Sequence, residues 1–227
     1  MKKILILIST LALLLSPAIA YAGNFAMGVT ISSNSLDTEG KEDVDSNNTI
    51  DDTKNVTDDF MVGSIFAEYT NLGDRFGITV GIDYIPFDAD IDKRDIAQST
   101  LGAKADGAAS TGTNSVQGTV EDHRTIYIQP GMKMGDNSLF YLTYGFVSAD
   151  VNAKSVSITH TDLNETKGLD GTKLGLGIKR VTGNGFVTKF DISKTEYDQI
   201  SFTTSNNTTA TADLDNTAIS LSIGKQF

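Results

Sequence analysis

The sequence predicts an all-β protein, an up-and-down antiparallel transmembrane β-barrel of eight strands. The first observation is the stretch 217–227, T-A-I-S-L-S-I-G-K-Q-F. Counting back from Phe227 in twos gives Lys225, Ile223, Leu221, Ile219 and Thr217, with Gln226, Gly224, Ser222, Ser220 and Ala218 between them. Successive strand side chains point to opposite faces, so this segment has one largely apolar face and one of small and polar groups. The second observation is that seven more alternating segments precede it, joined by short and long connections in strict turn. The third is compositional. Apart from residues 4–15, no apolar run approaches the ~20 residues of a membrane-spanning helix. A hydrophobic content of 39% suits a barrel in which only alternate strand residues meet lipid.

Taken in order, the chain opens with Lys2 and Lys3, an apolar stretch over residues 4–15, Pro17, and the small-residue runs Ala18-Ile19-Ala20 and Ala20-Tyr21-Ala22. This is the pattern of a secretory signal peptide over residues 1–22, with the mature barrel over 23–227. Absence of cysteine excludes a lipoprotein anchor and disulfides. Segment 25–32 sets Phe25, Met27, Val29 and Ile31 against Ala26, Gly28, Thr30 and Ser32. Residues 33–59 read as a long acidic loop. Segment 61–70 turns Ile65, Ala67 and Tyr69 outward and Ser64, Phe66 and Glu68 inward, and ends in the turn Asn71-Leu72-Gly73-Asp74. In the third, Phe76, Ile78, Val80, Ile82 and Tyr84 alternate with Gly77, Thr79, Gly81 and Asp83.

A second long loop is expected over 87–121. The fourth segment, about 123–132, carries Ile126, Ile128 and Met132 on one face and Thr125, Tyr127 and Gln129 on the other. Pro130 interrupts it and is expected at a bulge or near the short-turn rim, because a closed barrel has no free edge to excuse a missing N–H. After the turn Met134-Gly135-Asp136-Asn137, the fifth places Phe140, Leu142, Tyr144 and Phe146 outward against Tyr141, Thr143, Gly145 and Val147. Residues 149–170 read as the third loop. The sixth sets Leu174, Leu176 and Ile178 against Lys173, Gly175, Gly177 and Lys179. Thr182-Gly183-Asn184-Gly185 is a strong turn signal. The seventh sets Phe186, Thr188, Phe190 and Ile192 against Lys189, Asp191, Ser193 and Thr195, and a loop over 199–213 leads to the closing strand. Should residues 87–121 supply two further strands, the barrel would widen to ten.

Terminal Phe227 with apolar residues at alternate positions before it, and three short turns opposed to four long loops, resemble the small eight-stranded bacterial outer-membrane barrels of the OmpA/OmpX type, including opacity-like and adhesin-like surface barrels. Lys225 departs from that pattern, where an aromatic is more usual. The resemblance implies a Gram-negative cell outer membrane location, with lipids and lipopolysaccharide around the barrel and the long loops outside. It also implies insertion by the barrel assembly machinery, with Phe227, Ile223 and Leu221 as the assembly signal. Phe25, Tyr69, Phe76, Phe140, Phe186 and Phe227 all fall at the short-turn ends on the outward face, the level of an interfacial aromatic girdle.

The inward charges are Glu68, Asp83, Lys173, Lys179, Lys189 and Asp191. They read as an internally paired network, since an eight-stranded barrel is about wide enough for side chains to fill; a narrow ion path is the competing reading. The net charge of −11 becomes −13 once Lys2 and Lys3 are removed, which argues against nucleic-acid binding. Asp43-x-Asp45-x-Asn47 begins like a calcium loop, then fails, with Asn48 in place of Gly and Lys54 in place of the bidentate Glu. A solvated loop is the reading preferred over weak divalent binding. Asp122-His123 resembles a pair used by outer-membrane proteases, and His160 a residue used by lipid-modifying barrels, but neither has the rest of a catalytic constellation at a recognisable spacing. No catalytic, cofactor or metal residues are assigned. The expected function is a non-enzymatic barrel presenting acidic loops for envelope integrity, adhesion or partner interaction, with a small porin-like channel as the alternative. The extracellular partner is not readable.

Overall fold

The computed structural model describes residues 24–43, 48–98, 112–156, 163–203 and 209–227. The expected signal peptide therefore lies outside the described residues. Ten strands follow in order: β1 (Phe25–Asp43), β2 (Asp52–Leu72), β3 (Phe76–Tyr84), β4 (Ala89–Gln98), β5 (Gly112–Lys133), β6 (Ser138–Val156), β7 (Leu163–Val181), β8 (Phe186–Tyr197), β9 (Ile200–Thr203) and β10 (Thr209–Gln226). Eight form a closed antiparallel ring, β1-β2-β3-β5-β6-β7-β8-β10, which β1 closes against β10 from Ala26↔Gln226 to Asp43↔Thr209. β4 pairs with β5 and β9 with β10. The stretch 87–121 thus contributes strand without widening the ring to ten.

Outward positions form a continuous apolar belt. Val29, Ile31, Val80, Ile126, Leu142, Leu174, Ile192 and Leu221 are each half-exposed, far more bare hydrocarbon than a water-facing surface carries. The tight turns at one end explain themselves locally. Gly135 and Gly185 each adopt φ 78°, a left-handed conformation that favours glycine. Met134 N–H donates to Ser138 O at 2.8 Å and Thr182 N–H to Phe186 O at 2.9 Å.

One sequence expectation needs correction. The four connections expected as loops are largely strand. β1 runs on to Asp43 and β2 starts at Asp52, β5 begins at Gly112, β6 and β7 reach Val156 and Leu163, and β9 lies within 199–213. Beyond the belt both faces of a strand meet water, so the period-two hydrophobic signal vanishes while the hydrogen-bond ladder continues. Of the two places expected for Pro130, a bulge or the short-turn rim, it takes the rim, and the bulge of the β5–β6 ladder falls between Glu121 and Arg124. Pro130 itself sits opposite Ile78 near the turn end of β5, and the β5–β6 ladder passes it from Ile128↔Tyr144 to Gly131↔Tyr141 without a shift.

At the loop end the ring divides. Above Ile65↔Tyr84, β2 is paired only with β1; above Gly171↔Tyr197, β7 is paired only with β6 among the described residues. Two four-stranded sheets result, β9-β10-β1-β2 and β4-β5-β6-β7. The seam between β7 and β9 is sealed. Asp198 N–H donates to Asp170 O at 2.8 Å, and Ala149, Leu169 and Ile200 pack with Val151, Tyr197, Phe202 and Leu214. The seam between β2 and β4 has no strand pairing among the described residues.

Candidate functional site: the barrel interior

The inward faces carry the chemistry, and glycine decides how it packs. Three aromatic side chains lie across the lumen, each directly opposite a glycine on the neighbouring strand: Phe66 opposite Gly28, Tyr127 opposite Gly81, and Tyr141 opposite Gly177. A Cβ at Gly81 would sit 2.5 Å from the Tyr127 ring, and one at Gly177 would sit 2.7 Å from the Tyr141 ring. The missing side chains are what let the rings fold flat over the neighbouring strand, an arrangement in which the aromatic also shields the bare backbone.

These three rings surround one ammonium group. Lys189 Nζ stands 5.0 Å from the Phe66 ring centre, 5.3 Å from that of Tyr127 and 5.7 Å from that of Tyr141, all within cation–π range. It also meets Glu68 at 2.8 Å, and Lys179 meets the other Glu68 oxygen at 2.8 Å. Tyr127 O–H donates to Glu68 at 2.9 Å, and Lys179 donates to Thr70 at 2.9 Å. Gln129 donates to Thr143 at 3.1 Å, and Tyr141 O–H donates to Asp191. Glu68 and Tyr141 are each 1% exposed and Lys179 is 2% exposed, so water does not reach these side chains. It is a plug.

Toward the loop end the packing loosens. Ser64 O–H donates to Asp83 at 2.9 Å, and His123 Nε2 and Tyr197 Oη are 3.1 Å apart. Asp83, Lys173, Asp191 and His123 are all partly exposed although they point inward. Of the six expected lumen charges, the structure brings Glu68, Lys179 and Lys189 into contact and places Asp191 beside them through Tyr141. Asp83 and Lys173 occupy the looser layer above.

Asp122 and His123 do not act on one another. Asp122 adopts φ 53° at the bulge and accepts from Tyr84 O–H at 3.3 Å, while His123 turns inward to Tyr197. His160 lies outside the described residues, as do residues 44–47 of the calcium-like stretch. Asp43 accepts the Asn48 backbone N–H at 2.8 Å with Asn48 at φ 65°, so its carboxylate helps close the β1–β2 tip. Among the described residues no group of three His, Asp or Glu side chains converges to hold a metal.

At the turn end, Phe25 lies opposite Tyr69, Phe76 and Phe140 both lie opposite Met132, and Phe186 lies opposite Lys225. Phe227 N–H donates to Phe25 O at 2.8 Å, so the terminal residue helps close the ring. Leu221 and Ile223 face outward opposite Ile31 and Val29. Lys225 is also outward, and its ammonium reaches the Asn184 carbonyl. The tyrosines of the plug are what sequence reasoning missed. The inward Tyr–Gly pairs Tyr127/Gly81 and Tyr141/Gly177 were the available signal, but using it requires the register.

No protein-family model matches the chain, and no curated protein matches it. Solved structures do. The outer membrane protein OprG from Pseudomonas aeruginosa is 14% identical, with a TM-score of 0.52 over 91% of this chain and 96% of that one. The outer membrane protease OmpT from Escherichia coli is 8% identical, with a TM-score of 0.49 over 90% and 97%. Ail, the attachment invasion locus protein of Yersinia pestis, solved with the heparin analogue sucrose octasulfate, is 14% identical, with a TM-score of 0.41 over 90% and 99%. At such identities the likeness concerns the fold, which is that of a small bacterial outer-membrane β-barrel.

Proposed function

We propose that this chain is a non-enzymatic outer-membrane barrel whose lumen is shut and whose long, acidic hairpins are its working surface toward the exterior. The observation that carries this reading is the plug of Glu68, Lys179, Lys189, Tyr127 and Tyr141. Its side chains are shielded from water at the level where a channel would need an open path. The hairpins carry the distinctive exposed charge: Asp37, Glu39, Asp51, Asp52, Asp58 and Asp59 on β1, β2 and the tip between them. A rigid barrel below and polar hairpins above make a platform for adhesion, envelope integrity or a protein partner. His123, bonded to a tyrosine and separated from Asp122, offers no nucleophile–base pair.

The test has two parts. Conductance of the refolded chain (residues 23–227) in a planar bilayer should stay at baseline, and stepwise openings would overturn the shut lumen. Deleting residues 38–56, beyond the belt, should leave folding intact while changing cell adhesion or aggregation. A deletion that left every surface phenotype of the intact protein in place would overturn the platform reading.

A further inference from the structure

Above the plug, Asp83, Lys173, Asp191 and His123 point inward and are partly exposed, a layer that the surface-platform reading does not use. Below this layer is the Glu68 plug, and toward the loop end Ala149, Leu169 and Ile200 pack together at the β7–β9 seam. The seam between β2 and β4, which has no strand pairing among the described residues, begins just above the last β2–β3 pair, Ile65↔Tyr84. Asp83 sits one residue below that level on β3, held by Ser64 from β2. Across the lumen Lys173 projects from β7 between Gly145 of β6 and Thr195 of β8. Gly145 lets Thr125 and Lys173 pack close against its backbone, since a Cβ there would lie 2.9 Å from Thr125 Cγ2 and 3.5 Å from Lys173 Cβ.

The hydrogen bonding of this layer is incomplete in a specific way. Lys173 is within electrostatic reach of both Asp83 and His123, yet its ammonium has no hydrogen bond or ion pair among the described residues. Ser64 engages one oxygen of Asp83, and the other accepts no hydrogen bond among the described residues. His123 Nδ1 is buried and unbonded. Every charge in the plug below is closed in contact, so the open pair above it is a departure from the local pattern. Inward polar groups in a barrel are costly to leave unsatisfied. One cation and one anion that oppose each other without touching are complementary to a molecule carrying both charges.

We propose that Asp83 and Lys173 form a binding site for a small zwitterion entering from the loop end, its ammonium held by Asp83 and its carboxylate by Lys173. His123 Nδ1 supplies a further polar contact beside the carboxylate. The plug makes the site a dead-end cup, so the ligand is retained or sensed at the surface and not passed through. The proposal rests on the shut lumen but not on the hairpin platform.

The experiment is calorimetric titration of the refolded chain (residues 23–227) with ω-amino acids from glycine to 6-aminohexanoate, beside acetate and methylammonium as single-charge controls. One chain length should bind best, at least tenfold tighter than either control. Asp83→Asn and Lys173→Gln should each reduce that binding at least tenfold while heat-modifiable gel mobility shows both variants folded. If a variant does not fold, Ser64→Ala, which releases Asp83 from its donor, provides the second reading through a changed affinity for the same ligand. Absence of zwitterion binding at millimolar concentration, or acetate binding equal to the best zwitterion, would overturn the site. Conductance is read separately, so a silent barrel that binds nothing refutes the cup and leaves the shut lumen standing.

Discussion

Replacing Glu68 by Gln removes the one carboxylate that two buried lysines share. Both contacts are 2.8 Å, and the side chains of Glu68, Lys179 and Lys189 are 0%, 2% and 6% exposed, so water cannot substitute for the lost charge. Breaking a buried ion pair by removing one partner costs about 3–5 kcal/mol. Here the Tyr127 hydrogen bond can persist to the amide, and the three rings still shield Lys189, so about 4 kcal/mol is expected. With a urea slope near ~2 kcal/mol per M, the midpoint should fall by roughly 2 M. There is no tryptophan to report unfolding, so the folded fraction is read by heat-modifiable gel mobility in a detergent where the transition is reversible. The triple variant Glu68→Gln, Lys179→Met, Lys189→Met should recover most of the loss, because replacing a whole buried ionic set by apolar groups is often near neutral. A midpoint shift in Glu68→Gln of less than ~0.3 M on the same slope would refute the argument that the plug is held by this shared carboxylate.

Further outcomes follow from packing and from the ring closure. Gly28→Ala should impair folding, because its Cβ would lie 2.1 Å from the Ile223 carbonyl oxygen and 2.6 Å from Gly224 Cα, backbone atoms that cannot step aside; a loss of at least the ~1–3 kcal/mol of ordinary overpacking is expected in the same urea titration. Gly177→Ala should cost about 1–3 kcal/mol by pushing Tyr141 off Asp191, and an unchanged midpoint would show that the ring has room to move. Deleting Phe227 removes the hydrogen bond to Phe25 O and the last outward aromatic; outer-membrane yield in cells should drop, and an unchanged yield would end the view that this residue is an assembly signal.

The belt was legible in the sequence because lipid imposes it: every second residue from Phe140 to Phe146 or from Ile219 to Ile223 must be apolar, and the alternation marks strand, face and extent together. The turns were legible for a similar reason, since Gly135 and Gly185 answer a backbone demand that few other residues meet. The hairpin extensions left no such trace. Thr53 or Asn55 in a water-washed ribbon obeys only the hydrogen-bond ladder, which any sequence short of proline satisfies. The site was half legible. Alternation alone put Glu68, Lys179 and Lys189 inside, but which ammonium meets which carboxylate depends on the stagger between strands, as with Tyr127 lying over Gly81. That stagger is set by the connections between neighbouring strands, and the identity of an inward residue does not announce it.

The ring closure has a kinetic consequence. Seven of the eight ring contacts join strands adjacent along the barrel path through a single connection, so each brings together ends that chain diffusion already keeps close. The eighth, Ala26 with Gln226, joins positions 200 apart (226 − 26). Loop-closure entropy grows only slowly with length, but non-local pairings slow folding because their cost comes before their contacts do. An unclosed curl of strands is therefore the natural waiting state, with β1 and β10 as its two bare lips. Until they meet, each lip can template pairing with a foreign strand. A helper that holds one lip while the other arrives would shorten the wait and guard against that error. The Gly28–Gly224 contact is where the lips must come flush. A bulky residue there would prolong the exposure of both edges even in a chain whose finished barrel could tolerate it.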